Sequence, residues 1–394
     1  MIISTNRIRP SLSTGGCQLS TSFTCAFSLI LPLSAVTCPL STKKPFDIEH
    51  YTTPLPLLPR SVIISISNDF IGKDLYMKTA GLHHITAVTK DPQTNIDFYQ
   101  QVLGQRLVKT TVNFDDPGAY HLYYGDYTGV PGTAMTFFGW LNTVQGKVGS
   151  GETQAVAYSI PQHSVSYWNA RLKQLGFSPA RVESRFGQDV ISFDDPEGMR
   201  MELVAEENLP SVQVWPASPV PEEHELHGFY GVSLWLDEIE STTRILTEIL
   251  GYQNLGQEGN RYRFSVPGDA PGKVIDLVHK PNTGRGIFGA SSIHHIAFRA
   301  SSDQHQQDIQ QQVRRMGIHA TQVIDRQYFR SVYFRTPGGV LFEIATDQPG
   351  FMVNESAEEL GSNLVLPPWY EARRDEIEAN LPAIRRSLPQ EVNE

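Results

Sequence analysis

Cysteine is scarce in this chain, and what there is lies in one place. The three cysteines, Cys17, Cys25 and Cys38, all fall within the first 40 of 394 residues. The rest of the chain therefore cannot build a disulfide scaffold, a thiolate zinc site or an iron–sulfur cluster. A metal held there must take His, Asp or Glu. Surplus positive charge is also lacking. The formal net charge is −10, and no basic face offers itself to phosphates, which argues against nucleic acid as a partner. No run reaches the ~18 apolar residues that would span a bilayer, so no membrane partner is expected. What remains is ordinary globular composition, 40% apolar, at a length that suits two domains.

Acidic residues are missing from the beginning too, the first being Asp47. Before it come Arg7, Arg9, Lys43, Lys44, many Ser and Thr, and the apolar stretch CAFSLILPLSAV from Cys25 to Val36. This resembles a signal-peptide core or an organellar transit segment. A third reading places the natural start at Met77, directly before KTAGLHHIT, and makes the upstream residues an over-long gene start. On each reading residues 1–76 are expected to be poorly ordered and to lie outside the working fold. A cytoplasmic location follows if the leader is not a targeting peptide.

After Met77 the chain repeats itself. One module runs from Gly81 to Trp140, a second from Gln154 to Ala205, a third from about His227 to His279 and a fourth from Ile293 to Asp347. Each reads strand, helix ending in Gly, then three strands. FDDPEGMRMELVA in the second mirrors FRTPGGVLFEIAT in the fourth. Between modules two and three lies PSVQVWPASPVP, a Pro-rich linker. The expected fold is α+β: four tandem βαβββ modules with cupped mixed sheets. They are grouped in chain order as a domain over 77–209, a linker over 210–225 and a domain over 226–350, followed by a tail over 351–394 that carries a helix.

The first and fourth modules open on paired histidines, GLHHIT and IHHIAF. Adjacent strand residues point to opposite faces. His84 shares a face with Thr86, and His295 with Arg299, whereas His83 and His294 share faces with Ile85 and with Ile296 and Phe298. The polar faces should line an open concave sheet, which nominates His84 and His295 as ligands and leaves His83 and His294 as supporting or core-facing residues. In the last strand of module four, VLFEIA, Glu343 stands alone among apolar residues. Such a carboxylate is costly unless paired or metal-bound. His84, His295 and Glu343 thus form a two-histidine, one-carboxylate set with open positions, which suits non-haem Fe(II) oxygen chemistry. Modules two and three carry Ala155 and about Gly231 where the ligand histidines stand, so the histidines break the repeat in matching places.

The stretch GLHHITAVTKDPQTNIDFYQQVLGQRLVKTTVNFDDPGAYHLYYGD, together with IHHIAF and YFRTPGGVLFEIATD, closely resembles ring-cleaving dioxygenases of the vicinal oxygen chelate superfamily. The hydroquinone-type 1,2-dioxygenases are the nearest group. The resemblance runs from Met77 to the C-terminus. It implies Fe(II), with Mn(II) as the alternative, on His84, His295 and Glu343, a small aromatic substrate and O2. It further implies that Tyr333 in SVYFRT and Arg326 in DRQYF neutralise charge developing on oxygen, and that His83, Thr86 and His294 line or support the site. Because the ligand histidines must be neutral, activity is expected to fall in acid. A homo-oligomer remains open. Two rivals share the fold: a glyoxalase-like Zn(II) or Ni(II) lyase or isomerase using a further carboxylate, for which Glu202 is a candidate, and a non-catalytic small-molecule binding protein.

Overall fold

The computed structural model describes residues 79–386 apart from 178–180. The expectations for 1–76 lie outside these residues. The first module gives β1 (Leu82–Thr89), β2 (Arg106–Asn113), β3 (Asp116–Gly125) and β4 (Ala134–Gly139). The second gives β5 (Glu152–Pro161), β6 (Arg181–Arg185), β7 (Gln188–Asp194) and β8 (Arg200–Glu206). The third gives β9 (Phe229–Leu236), β10 (Gln253–Glu258), β11 (Arg261–Ser265) and β12 (Val274–His279). The fourth gives β13 (Ile293–Ala300), β14 (Ile324–Asp325), β15 (Arg330–Arg335) and β16 (Leu341–Thr346). A helix follows the first strand of each: Pro92–Asp97 and Glu240–Arg244, both continued by one π turn, Val165–Gln174, and Asp303–Arg315. Asp91 caps the first, its Oδ1 accepting from Thr94 N at 3.0 Å.

The modules build two eight-stranded mixed sheets, ordered β14-β15-β16-β13-β1-β4-β3-β2 and β10-β11-β12-β9-β5-β8-β7-β6. Each sheet therefore takes one module from either half of the sequence: one with four, and two with three. This differs from the chain-order grouping 77–209 and 226–350. The physical reason is the central pairing. β1 runs antiparallel to β13, with His84 opposite Ala297 and Thr86 opposite His295. β5 runs antiparallel to β9 in the same register, with Ala157 opposite Gly231 and Ala155 opposite Ser233. Within each module the first and last strands are parallel and the other pairings are antiparallel. The helices cover one face of each sheet and leave the other as a cup. Ile85, Ala87, Ile296 and Phe298 bury completely in a core with Ile96, Tyr99, Ile309 and Val313 of the helices.

The C-terminal segment straps the edge of the first sheet. Val365 N donates to Thr110 O at 2.9 Å, and the fully buried Lys109 on β2 donates to Asn354 Oδ1 at 2.8 Å and pairs with Glu355. The expected tail helix is present but covers only Arg374–Asn380, burying Ile377. Pro382 excludes helical backbone at Leu381 and ends it. Among the described residues no helix is long and apolar enough to cross a membrane.

Candidate metal centre

The first cup brings His84, His295 and Glu343 together, their ligand atoms all within 4.8 Å of one another. Glu343 Oε2 lies 3.2 Å from His84 Nε2 and 2.9 Å from His295 Nε2, and the two imidazole nitrogens are 3.3 Å apart. Three strands position them. β1 and β13 supply the histidines in antiparallel register, and β16, parallel to β13, sets Glu343 beside Ala297.

The paired histidines divide the work. His83 Nδ1 is 3.0 Å from His84 Nδ1, and His294 Nδ1 is 2.8 Å from His295 Nδ1. When the second member of each pair donates its Nδ1–H, its Nε2 lone pair is left facing Glu343. This is the usual way a neighbour fixes a ligand tautomer. Strict alternation would have sent His83 toward the helix side. A register shift in β1 between Leu82 and His84 intervenes, and His83 packs against Phe329 and His84 instead, at ring separations of 5.1 Å. His294 lines the cavity against Phe138 and Phe288. Arg299 does not line the cavity. It pairs with Asp347 at 2.7 Å.

Burial pushes His83 and His294 down to about 3, and the adjacent His84 and His295 add to the effect. His295 is also lowered by burial. These imidazoles stay neutral at ordinary pH. Burial alone would push the Glu343 carboxyl up, but the facing His84 and His295 outweigh it and hold it well below its usual range. Ser331 Oγ satisfies Glu343 Oε1, while the buried Oε2 has no hydrogen-bond donor. A carboxylate oxygen without a hydrogen-bond donor, buried beside two imidazole nitrogens, is costly in a protein alone. A cation between them would satisfy all three, so the donor set fits a divalent metal.

Around this set lies a cavity of about 390 Å³ with mainly aromatic walls, including Phe114, Phe138, Trp140 and Phe329. Thr86, Tyr333 and Arg326 line it. Tyr333 stands opposite Glu343 in the β15–β16 ladder. Arg326 lies over its ring at 5.5 Å and pairs with Asp115 at 3.0 Å. Burial opposes the Arg326 charge, but Tyr333 and Asp115 outweigh it and hold the guanidinium charged. Burial, reinforced by Glu343, pushes the Tyr333 hydroxyl up, so it remains a donor.

Among the lining residues that escaped sequence reasoning are His121 and Tyr123. They lie within YHLYYGD, where a histidine among aromatics reads as core. The signal was their period-2 spacing on one face of β3.

The model of the Glyoxalase/Bleomycin resistance protein/Dioxygenase superfamily matches residues 81–203 and 217–344. The chain belongs to that superfamily. It is 44% identical over 317 residues to "Putative ring-cleaving dioxygenase MhqO" of Bacillus subtilis, across 80% of this chain and 98% of the relative. It is 34% identical over 308 residues to chlorohydroquinone/hydroquinone 1,2-dioxygenase of Sphingobium indicum, across 76% of this chain and 95% of the relative. A crystal structure of a "putative dioxygenase" from Bacillus subtilis superposes with a TM-score of 0.76 at 43% identity, covering 79% of this chain and 99% of that one. The relatives thus include proteins named as ring-cleaving dioxygenases, and this member carries a His-His-Glu set in an aromatic-lined cup.

Proposed function

We propose that this protein is a non-haem Fe(II) dioxygenase that opens a hydroquinone or related dihydroxylated ring with O2, with His84, His295 and Glu343 holding the metal. The observation that carries the reading is the donorless Glu343 Oε2 facing two imidazole nitrogens at the foot of an aromatic-walled cavity. Fe(II) held by these three residues would supply the ring-opening chemistry with O2. The chain's residues do the rest. His83 and His294 orient the ligand imidazoles. Phe114, Phe138 and Phe329 receive the ring and exclude water. Tyr333 and Arg326, beside Glu343, donate to oxygen as negative charge grows there.

The glyoxalase-like alternative needs a further carboxylate, and the geometry gives it little support. Glu202 lies in the other sheet, paired with Arg185 at 2.8 Å. In the first cup the position equivalent to Glu343 is Thr136, since Thr86 pairs with Thr136 on β4 as Ala297 pairs with Glu343 on β16. The deciding measurement is oxygen uptake by ferrous-loaded protein against a panel of hydroquinones and catechols. About one O2 consumed per ring opened is expected. Full turnover under argon with Zn(II) or Ni(II) would overturn the reading, and the same assay with Mn(II) tests the alternative metal.

A further inference from the structure

One polar group in the cup has no part in holding the metal. Tyr123, 2% exposed, lines the cavity from β3. Its hydroxyl has one partner within hydrogen-bond distance, His121 Nδ1 at 2.8 Å. His121 Nε2 lies 2.9 Å from Thr136 Oγ1, and Thr136 Oγ1 donates to Thr86 Oγ1 at 2.8 Å. The chain has a direction. With the Thr136 proton committed to Thr86, Thr136 accepts from His121 Nε2–H. His121 Nδ1 is then bare and accepts the Tyr123 proton. Burial, reinforced by His84 and His295, holds His121 well below its usual range, which keeps this single-proton tautomer. A phenol oxygen accepts as well as donates, so Tyr123 is left with lone pairs toward the cavity.

Its place in the sheet gives these lone pairs a use. His295, Thr86, Thr136 and Tyr123 are successive cross-strand partners on β13, β1, β4 and β3. Tyr123 therefore sits two strand spacings from Thr86, about 10 Å. The floor between them is threonine, small enough to leave room for a ring. Tyr333 is Tyr123's counterpart in the fourth module, standing opposite Glu343 as Tyr123 stands opposite Thr136. Tyr333, however, is one spacing from a ligand strand, beside the reacting centre. Tyr123 is at the far end.

We propose that Tyr123, oriented by His121, receives the second hydroxyl of the substrate, so that the cup selects a benzene-1,4-diol held by one oxygen at the metal and by the other at Tyr123. This rests on the ring-cleaving reading above. A catechol turns both hydroxyls toward the metal and leaves Tyr123 unused. Tyr123 would touch the substrate, whereas His121 acts through it as a positioning residue.

The test compares hydroquinone with 4-methylphenol, which has similar size but no donor at the far position, bound under argon to the ferrous-loaded protein. The wild type should prefer hydroquinone. Tyr123→Phe, which removes one oxygen atom, should cut that preference roughly three- to tenfold, the worth of one neutral hydrogen bond. Affinity for 4-methylphenol and iron content should not change. His121→Asn should lower the same preference and raise KM for hydroquinone more than it lowers kcat. A Tyr123→Phe protein with normal iron content and an unchanged preference overturns the inference, as does a wild type that does not discriminate. A wild type that discriminates but consumes no O2 with hydroquinone overturns the ring-cleaving reading and leaves the Tyr123 contact standing.

Discussion

The two cups occupy equivalent positions and hold opposite contents. In the first, the central strands present His84 and His295, and the outer parallel strands present Thr136 and Glu343. In the second, the matching positions are Gly231, Ala155, Asp276 and Glu202. The second cup has a carboxylate at each outer position and answers both with arginine. Arg185 grips Glu202 through two bonds of 2.8 and 3.1 Å, and Arg263 grips Asp276 at 2.9 and 2.8 Å, with Arg261 also on Asp276 at 3.1 Å. One cup thus sets imidazoles against its buried carboxylate, and the other sets guanidiniums that stay charged. Neutral imidazoles leave a lone pair for a metal, and guanidiniums have none to offer. The difference shows that a buried strand carboxylate is no ligand in itself; its neighbours across the ladder decide.

The largest expected effect separates the two glutamates. Glu343→Gln should reduce bound iron more than tenfold, because an amide is a poorer ligand for a hard cation. Glu202→Gln should leave iron content at the wild-type level. Metal analysis of both purified proteins checks this, and iron lost from the Glu202 variant alone would refute the comparison.

The next effect concerns whether the second cup could ever be converted. A Cβ at Gly231 would sit 1.9 Å from Val274 O. Gly231→Ala should therefore destabilise by several kcal/mol, as severe overpacking does, and lower the thermal midpoint by more than any single change in the arginine network. A variant that melts like the wild type would show that β9 and β12 can separate there.

Smaller is the structural cost of Glu202→Gln, about 2–4 kcal/mol, because it leaves the part-buried Arg185 short of a partner. Denaturant unfolding measures it, and Arg185→Met in the same background should recover much of the loss.

Acid should distinguish the cups more gently. His83 and His294 have folded values near 3 against about 6.5 when unfolded. Below about pH 6.5 the unfolded chain takes up protons that these folded groups refuse, so stability falls with pH down to about 3, by up to ~1.4 kcal/mol per unit for each. The second cup's central strands carry no histidine facing its carboxylates. Amide exchange at pH 5 against pH 7 should therefore loosen β1 and β13 before β5 and β9. Equal loosening would remove the distinction.

The weakest effect is at the rim. Asp115 is 73% exposed where it meets Arg326, so Asp115→Asn should change KM no more than two- or threefold, in keeping with about 1 kcal/mol or less for such pairs. High salt should erase the difference from wild type.

Much of the candidate metal centre was legible because it breaks a repeat. Alternation picked His84 and His295, and an isolated Glu343 in an apolar strand completed the set. Sheet pairing was not legible, because register between β1 and β13 is fixed by contacts between residues 211 apart, which no local pattern records. Yet the ligand choice already required it, since a site drawing on modules one and four needs those modules in one sheet. The partner of Glu202 is hidden from the sequence for a related reason. Arg200 is nearest in sequence and shares its face of β8, but it pairs with Asp194 on β7 at 2.7 Å. The partner is Arg185, brought in from β6 beyond.

The sheet order also carries a timetable. The inner sheet, modules two and three, closes over one continuous stretch from Glu152 to His279, whereas the outer sheet must bring β1 to β13 and β16 around it, one pair of brackets inside another. Long closures are entropically expensive and slow to search. On the ribosome, β1 waits with His84 unpartnered while the whole inner sheet is made. The metal centre can assemble only after the inner sheet is synthesised, with the C-terminal strap alone to follow, and a nascent chain halted before Glu343 would hold a finished inner sheet and no site. Iron uptake by stalled chains of increasing length would then rise in a single step, once β16 has left the exit tunnel.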